Sequence, residues 1–375
     1  MILSAIIGSV IIAVVLWEAF ETIILPRRVV RRLRLAVLIY RSTWIPWRTL
    51  AGLIRKTRPR ETFLSYYGPL SLLILFSVWT VGIIFGFALL YYGAMFAERA
   101  SRPFATCLYF SGTTMFTLGL GDVVPHSSLG RFLTVAEAGL GFAFLALFLS
   151  YLPVIYQVFS RREVNIVLLD ARAGSPPTAA ELLRRHADPQ QTEALDQLLR
   201  DWERASADIL ESHISYPVVS YFRSQHNNES WLAALTAVLD ASALLIACVE
   251  GAHGRQARLT FAMCRHTVVD LAQTFNAAPR TLAHSRLPAA EFERLRATLG
   301  GAGLELRHDE AARGKLAELR EMYEPYLHAL SRFLHMELPP WILAKEITDN
   351  WRTSAWGRIA GFAATDRPEP DDHGD

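Results

Sequence analysis

The sequence predicts an all-α membrane protein joined to an α-helical soluble part. Three observations carry that expectation. Of 375 residues, 51% are hydrophobic and only 20% charged, with a mean hydropathy of +0.21. The apolar excess is gathered into long runs before residue 160. Between two of those runs, residues 27–60 hold eleven Arg or Lys and no acid. This balance excludes a disordered chain and a plain cytosolic enzyme. Three cysteines, Cys107, Cys248 and Cys264, are too few for a secreted disulfide framework. The net charge of +2 points to no nucleic-acid partner. The bases are 35 Arg against 3 Lys, which reads as the codon bias of a GC-rich bacterial genome.

Residues 1–26 are expected to form an N-terminal transmembrane helix. The run from Ile2 to Leu25 is long enough to span and is interrupted only by Glu18 and Glu21. It lacks the basic start and small-residue cleavage site of a signal peptide, so a retained helix is expected. Glu18 and Glu21 share a face with Arg27 and Arg28, and pairing with them is expected near the cytoplasmic end.

Residues 27–62 form a basic linker, which the positive-inside rule places in the cytoplasm. Within it, 33–54 mixes apolar residues with Arg34, Arg41, Arg48, Trp44 and Trp47. That mixture suits a helix lying in the bilayer interface. The alternative, a spanning helix, puts Arg41 and Arg48 at depth.

Residues 63–160 hold the two central spans. Thr62 to Ala97 carries no charge, and a spanning helix fits at 69–92. Residues 103–116 are too short to span and suit a re-entrant segment. Ser101 and Pro103 are placed to cap and start it. From Arg131 to Arg161 only Glu137 interrupts a further apolar run. The charge rule then puts the N-terminus outside, 93–130 outside and everything after 160 in the cytoplasm of a bacterial inner membrane.

Residues 161–357 mix acids and bases and read as a helical cytoplasmic domain. Ser or Thr caps a helix in SPPTAAELLRRH, and Asp188 caps a long amphipathic one. WLAALTAVLDASALLIACVEG is the most apolar stretch here. Asp240 within it and Glu250 after it favour a buried core helix over a fourth span. LTFAMCRHTVVDLAQTF, EAARGKLAELREMYEPYLHALSRFLHM and WILAKEITDNWRTSAW continue the helical pattern. Residues 358–375 read as a disordered tail.

The segment that carries chemistry is Thr113-Thr114-Met115-Phe116-Thr117-Leu118-Gly119-Leu120-Gly121-Asp122. It follows a short semi-apolar helix and lies between two spans. Here the chain resembles the potassium-channel pore domain, in its two-helix-plus-pore-loop form, over about residues 67–160. The matching core is T-L-G-L-G-D against the family's T-V-G-Y-G-D. The resemblance implies a homotetramer in the lipid bilayer, with K+ as the permeant ion, no other cofactor and no enzymatic activity. With one pore loop per chain, four copies complete the pore.

A K+ ion that sheds its water needs replacement oxygens, which rings of backbone carbonyls supply. Successive carbonyls point inward only if the backbone alternates in handedness, which Gly119 and Gly121 permit. Thr117 adds its hydroxyl, Leu118 and Leu120 their carbonyls, and Asp122 a ring of negative charge at the outer mouth. Thr113 and Thr114 belong to the supporting pore helix, whose negative end favours a cation behind the filter.

The departures bear on selectivity. Leu120 stands where the family has Tyr or Phe, so the ring that braces the filter is missing. Leu108-Tyr109-Phe110 replaces paired tryptophans, so the aromatic cuff is thinner. Leu118 for Val is a mild change. Some animal tandem-pore channels also carry leucine at the Tyr position. A non-selective cation channel therefore stays open beside the potassium-selective one. A third reading makes the membrane part a non-conducting anchor for a sensory or scaffolding domain.

On the inner helix, Gly139 and Gly141 are candidates for a hinge or for a small-residue packing face. Pro153 is placed to kink the lower end. Glu137 is expected beside the pore helix, bonded to a hydroxyl or backbone group. The clusters Cys264/His266 and Glu305/His308/Asp309 lack the paired spacing of a zinc site. A histidine pH switch is the remaining functional reading of the histidines. Residues 160–375 show no strand leading into G-x-G-x-x-G, so no nucleotide-binding regulator is expected and the regulatory ligand is unassigned.

Overall fold

The N-terminal apolar run is one helix, α1 (Ile2–Ala19), extended by a π-helical turn at Phe20–Ile24. The computed structural model describes residues 2–25, 35–95, 103–187, 192–226, 229–249, 254–280 and 285–344, and every regular element among them is helical. The chain divides into two units, residues 1–157 and 158–375.

In the first unit, α1 packs along α4 (Tyr67–Met95). The contact is made by small residues. A Cβ added to Gly8 would lie 2.5 Å from the Gly86 carbonyl, and one added to Gly86 would lie 2.6 Å from the Ile12 side chain. Gly82, one turn away on α4, faces Val15. Gly82 and Gly86 form a G-x-x-x-G pair, which lets two helix backbones approach closely where no water drives association. The N-terminal helix is therefore fastened to the same body as the pore helices.

Helix α2 (Leu35–Gly52) contains Pro46, and it is followed by α3 (Thr57–Ser65). Glu18 of α1 accepts hydrogen bonds from the backbone N–H of Leu35 at 2.9 Å and of Ala36 at 3.3 Å. Two backbone N–H groups of α2 thus meet a buried carboxylate of α1. Glu21 takes the indole N–H of Trp17 at 2.8 Å. The expected partners Arg27 and Arg28 lie outside the described residues. Trp47 stacks on Phe63 at 4.5 Å, and Tyr67 bonds to the Tyr40 carbonyl at 2.9 Å, which ties α2 to the start of α4.

The short helix α5 (Phe104–Met115) and the long helix α6 (Ser128–Ala173) complete the unit. Pro103 is the residue before α5, with extended backbone, rather than part of its first turn as expected. Ser101 lies outside the described residues. The helix that holds the third span does not stop at Arg161. α6 continues helically to Ala173, because residues after Arg161 keep an apolar face, with Ile166 and Leu169 buried.

Among the described residues, four helical segments are long and apolar enough to cross a membrane: Ile2–Ile24, Thr57–Gly93, Ser128–Ala173 and Trp231–Cys248. Leu35–Gly52 is not among them. Trp231–Cys248 differs from the other three in that every residue but Ile246 is buried in protein.

The second unit surrounds that helix, α9. Helices α7 (Ala179–Arg185) and α8 (Thr192–Ser215) precede it. α10 (Gly254–Thr274), α11 (Ala289–Gly301), α12 (Glu310–Glu321) and α13 (Glu324–Leu334) follow. Thr178 and Ser230 cap α7 and α9 through the N–H groups of Glu181 and Ala233. Asp188 lies outside the described residues. Asp240, the charge within α9, is held by Arg286 at 2.8 Å and Tyr323 at 2.6 Å, and Arg286 also meets Glu324. A carboxylate buried on an apolar helix persists because it is paired and hydrogen-bonded. The expected helix from Trp341 is not formed at 341–344, where buried Trp341 packs its ring against Arg286 and Arg320. Residues 358–375 lie outside the described residues.

Candidate functional site

The site is built on the C-terminal end of α5. The hydroxyls of Thr113 and Thr114 both return to the Phe110 carbonyl, at 2.9 and 2.8 Å. Their own carbonyls accept the N–H groups of Leu118 and Thr117, at 2.8 and 2.9 Å. The helix end is thereby tied directly to the first two residues of the T-L-G-L-G-D segment, which fixes where that segment starts.

From there the backbone alternates. Thr117, Gly119 and Gly121 have φ of +55°, +53° and +81°, while Leu118 and Leu120 are outside the positive region. Glycine adopts such φ freely, but Thr117 does so at a cost for a β-branched residue. The sequence pointed to the two glycines and gave no signal that Thr117 would join them. Residues 116–122 are exposed in the single chain, Leu118 by 61% and Leu120 by 62%. Asp122 accepts a hydrogen bond from the N–H of Val123 at 3.1 Å. The Tyr109 side chain of α5 lies near the Asp122 carboxylate, a proximity hidden in a triplet whose aromatic content looked reduced.

Behind the segment lies α6. Gly141 is buried, and a Cβ there would collide with the Met115 carbonyl. Gly139 has open space around it. The two glycines, separated by Leu140, therefore differ: Gly141 permits a close approach of α6 to α5, and Gly139 faces away. Pro153 lies within the unbroken α6 and is exposed. With no N–H it leaves the Leu149 carbonyl without its usual helical partner.

Glu137, four residues before Gly141, is fully buried. Its carboxylate accepts from the Tyr91 hydroxyl of α4 at 2.7 Å and bonds to the Ser111 hydroxyl of α5. The expectation of a hydroxyl partner beside the pore helix is met, and Tyr91 is a further partner that the sequence did not indicate. The exposed residues Phe132, Val135, Phe142 and Leu149 line another face of α6. With Gly139, Ala146 and Pro153 they follow an alternating three- and four-residue spacing, that of a coiled-coil seam.

In the second unit, Arg162 is buried and donates to the carbonyls of Val219 and Phe222 at 3.0 and 2.9 Å, to Glu163, and to His213 at 3.2 Å. Burial, and then the Arg162 charge, hold His213 well below its ordinary pKa. Cys264 bonds to Ser206 at 2.9 Å, and burial pushes its thiol up to about 12. His266 nearby is exposed and meets Asp270, so Cys264 and His266 do not converge. Among the described residues no group of three His, Cys, Asp or Glu is placed to hold a metal.

Residues 73–157 match the family model described as "Ion channel". A Bacillus subtilis protein described as the uncharacterized membrane protein YdjJ is 24% identical over 206 residues, covering 53% of this chain and 58% of its own length. The chain thus matches less than two thirds of that relative. No solved structure matches it.

Proposed function

We propose, from the premise that residues 73–157 are an ion-channel pore domain in a multi-pass membrane protein, that the chain works as a homotetrameric potassium-selective channel. The ions pass through a filter made by Thr117, Leu118, Gly119, Leu120 and Gly121 of each copy. The observation that carries this is the alternation of backbone handedness over 117–121. Alternate left- and right-handed residues turn successive carbonyls to one side, which is what rings of dehydrating oxygens require. Asp122 supplies the outer negative charge. The uncovered apolar spacing on α6 suits contact with neighbouring copies around a shared axis. Residues 27–60 lie in the cytoplasmic interface of a bacterial inner membrane, the 158–344 unit is cytoplasmic, and gating acts through it.

A second reading is favoured by Leu120. Its side chain offers no hydroxyl and stands 62% exposed, so Leu120 itself does not brace the middle of the filter against its own chain. A filter held less rigidly passes Na+ as well as K+. Full-length protein in liposomes separates the two. A K+ gradient should drive flux, with a reversal potential that follows K+ in mixed K+ and Na+. A reversal potential near zero in equal opposing K+ and Na+ supports the non-selective pore, and no cation flux under any gating condition overturns both.

A further inference from the structure

We infer that Glu137 is the positioning residue that sets the depth of the pore helix, and hence of the 117–121 carbonyls, standing in for the brace that Leu120 lacks. This rests on the channel reading above. Three helices meet at one carboxylate: Tyr91 from α4, Ser111 from α5 and Glu137 from α6, all buried. The Ser111 hydroxyl also lies 2.9 Å from the Ile84 carbonyl of α4, and the Tyr91 ring meets Phe110 of α5 edge-on at 4.9 Å. The ring contact therefore adds a second link between α4 and α5 beside the carboxylate.

Its geometry is a ladder. Glu137 and Gly141 lie four residues apart on one face of α6, and so do Ser111 and Met115 on α5. Glu137 meets Ser111, and Gly141 meets Met115. Met115 is two residues before Thr117. The carbonyls of Thr113 and Thr114, between the two rungs, hold the N–H groups of Leu118 and Thr117. Any slide of α5 against α6 is thus carried into the filter through two backbone hydrogen bonds. Among the described residues, the groups that meet the carboxylate are hydroxyls and none is a cation. An acid buried in a membrane-spanning helix without a cation costs stability that an apolar residue would not. That cost is explained by what an apolar residue cannot do, which is to hold two helices in register by directional bonds.

The test uses the full-length protein with Glu137→Ala, Glu137→Gln, Ser111→Ala and Tyr91→Phe. In liposomes, Glu137→Ala, which removes both hydrogen bonds to the carboxylate, should lower the K+ over Na+ permeability ratio by about tenfold or more. Glu137→Gln, which keeps the shape and an acceptor, should restore most of the ratio. Glu137→Ala combined with Ser111→Ala should be no worse than Glu137→Ala alone. Independently of flux, amide hydrogen exchange at Phe116–Leu118 should quicken in Glu137→Ala and not in Glu137→Gln. If Glu137→Ala fails to assemble, Ser111→Ala and Tyr91→Phe, each removing one bond, should show the same two effects more weakly. Wild-type permeability ratios together with wild-type exchange in these variants overturn the inference while leaving the channel intact. A wild-type protein that carries no K+ overturns the channel reading, and the exchange measurement then still decides whether Glu137 positions the helix.

Discussion

Gly141 of α6 rests against the main-chain carbonyl of Met115, at a separation that leaves no room for a Cβ. Of the two roles open to this glycine, hinge or close packing, the contact accounts for its identity by packing. Gly141→Ala should destabilise the membrane unit by about 1–3 kcal/mol, the usual range for overpacking a tight contact. Gly139→Ala, where nothing of the same chain lies within 4 Å, should cost less than Gly141→Ala in thermal unfolding. Equal effects of the two substitutions would contradict this division of roles.

The α1–α4 contact makes a parallel prediction. Gly86 faces Ile12 and the Gly8 carbonyl, so Gly86→Leu should force α1 away from α4. The thermal stability of the membrane unit should fall by about 1–3 kcal/mol in Gly86→Leu, the usual range for overpacking a tight contact. Unchanged stability would show that the helices tolerate the added bulk.

Leu120→Tyr tests the brace. A ring with a hydroxyl at this position should sharpen K+ over Na+ selectivity by several-fold, of the order of one net hydrogen bond. Bi-ionic reversal potentials read the change directly. An unchanged ratio would mean that the filter is already held from behind.

Acid should loosen the second unit. The neutral form of His213 is favoured in the folded protein, where its Nε2 accepts from Arg162. A group whose folded pKa is depressed binds more protons when unfolded, so its stabilisation is present above the ordinary value of 6.5 and is lost as pH falls below it. His186 and His328, also depressed by burial, act in the same sense. Thermal stability of the unit should therefore fall between pH 7 and pH 5, by up to about 1.4 kcal/mol per pH unit from His213, with smaller contributions from the partly exposed His186 and His328. His213→Gln should flatten the slope. A slope unchanged in that variant would place the titration elsewhere.

Much of the membrane part was legible in the sequence because charge and length are strong signals. Arg131, Arg161 and the uncharged run to Ala97 bracket the apolar helices, and the T-L-G-L-G-D spacing marks the segment whose backbone takes positive φ at Thr117, Gly119 and Gly121. What was not legible depends on three-dimensional neighbours. Gly82 and Gly86 look like any membrane glycines until Gly8 and Ile12 lie against them. Glu18 suggests an arginine partner, whereas the described partners are the N–H groups of Leu35 and Ala36. The helical character of the second unit followed from periodicity. The pairing of Asp240 with Arg286, 46 residues away, did not, because no local pattern relates a charge in an apolar helix to a loop so distant.

The most direct measurement is the reversal potential of the full-length protein reconstituted in liposomes, with K+ on one side and Na+ on the other. A filter formed by residues 117–121 should give a potential close to that for K+, and replacing Gly119 with Ala, which cannot readily hold φ near +53°, should abolish the flux. A wild-type potential near zero, or flux that persists unchanged in Gly119→Ala, would contradict a potassium-selective pathway through these carbonyls.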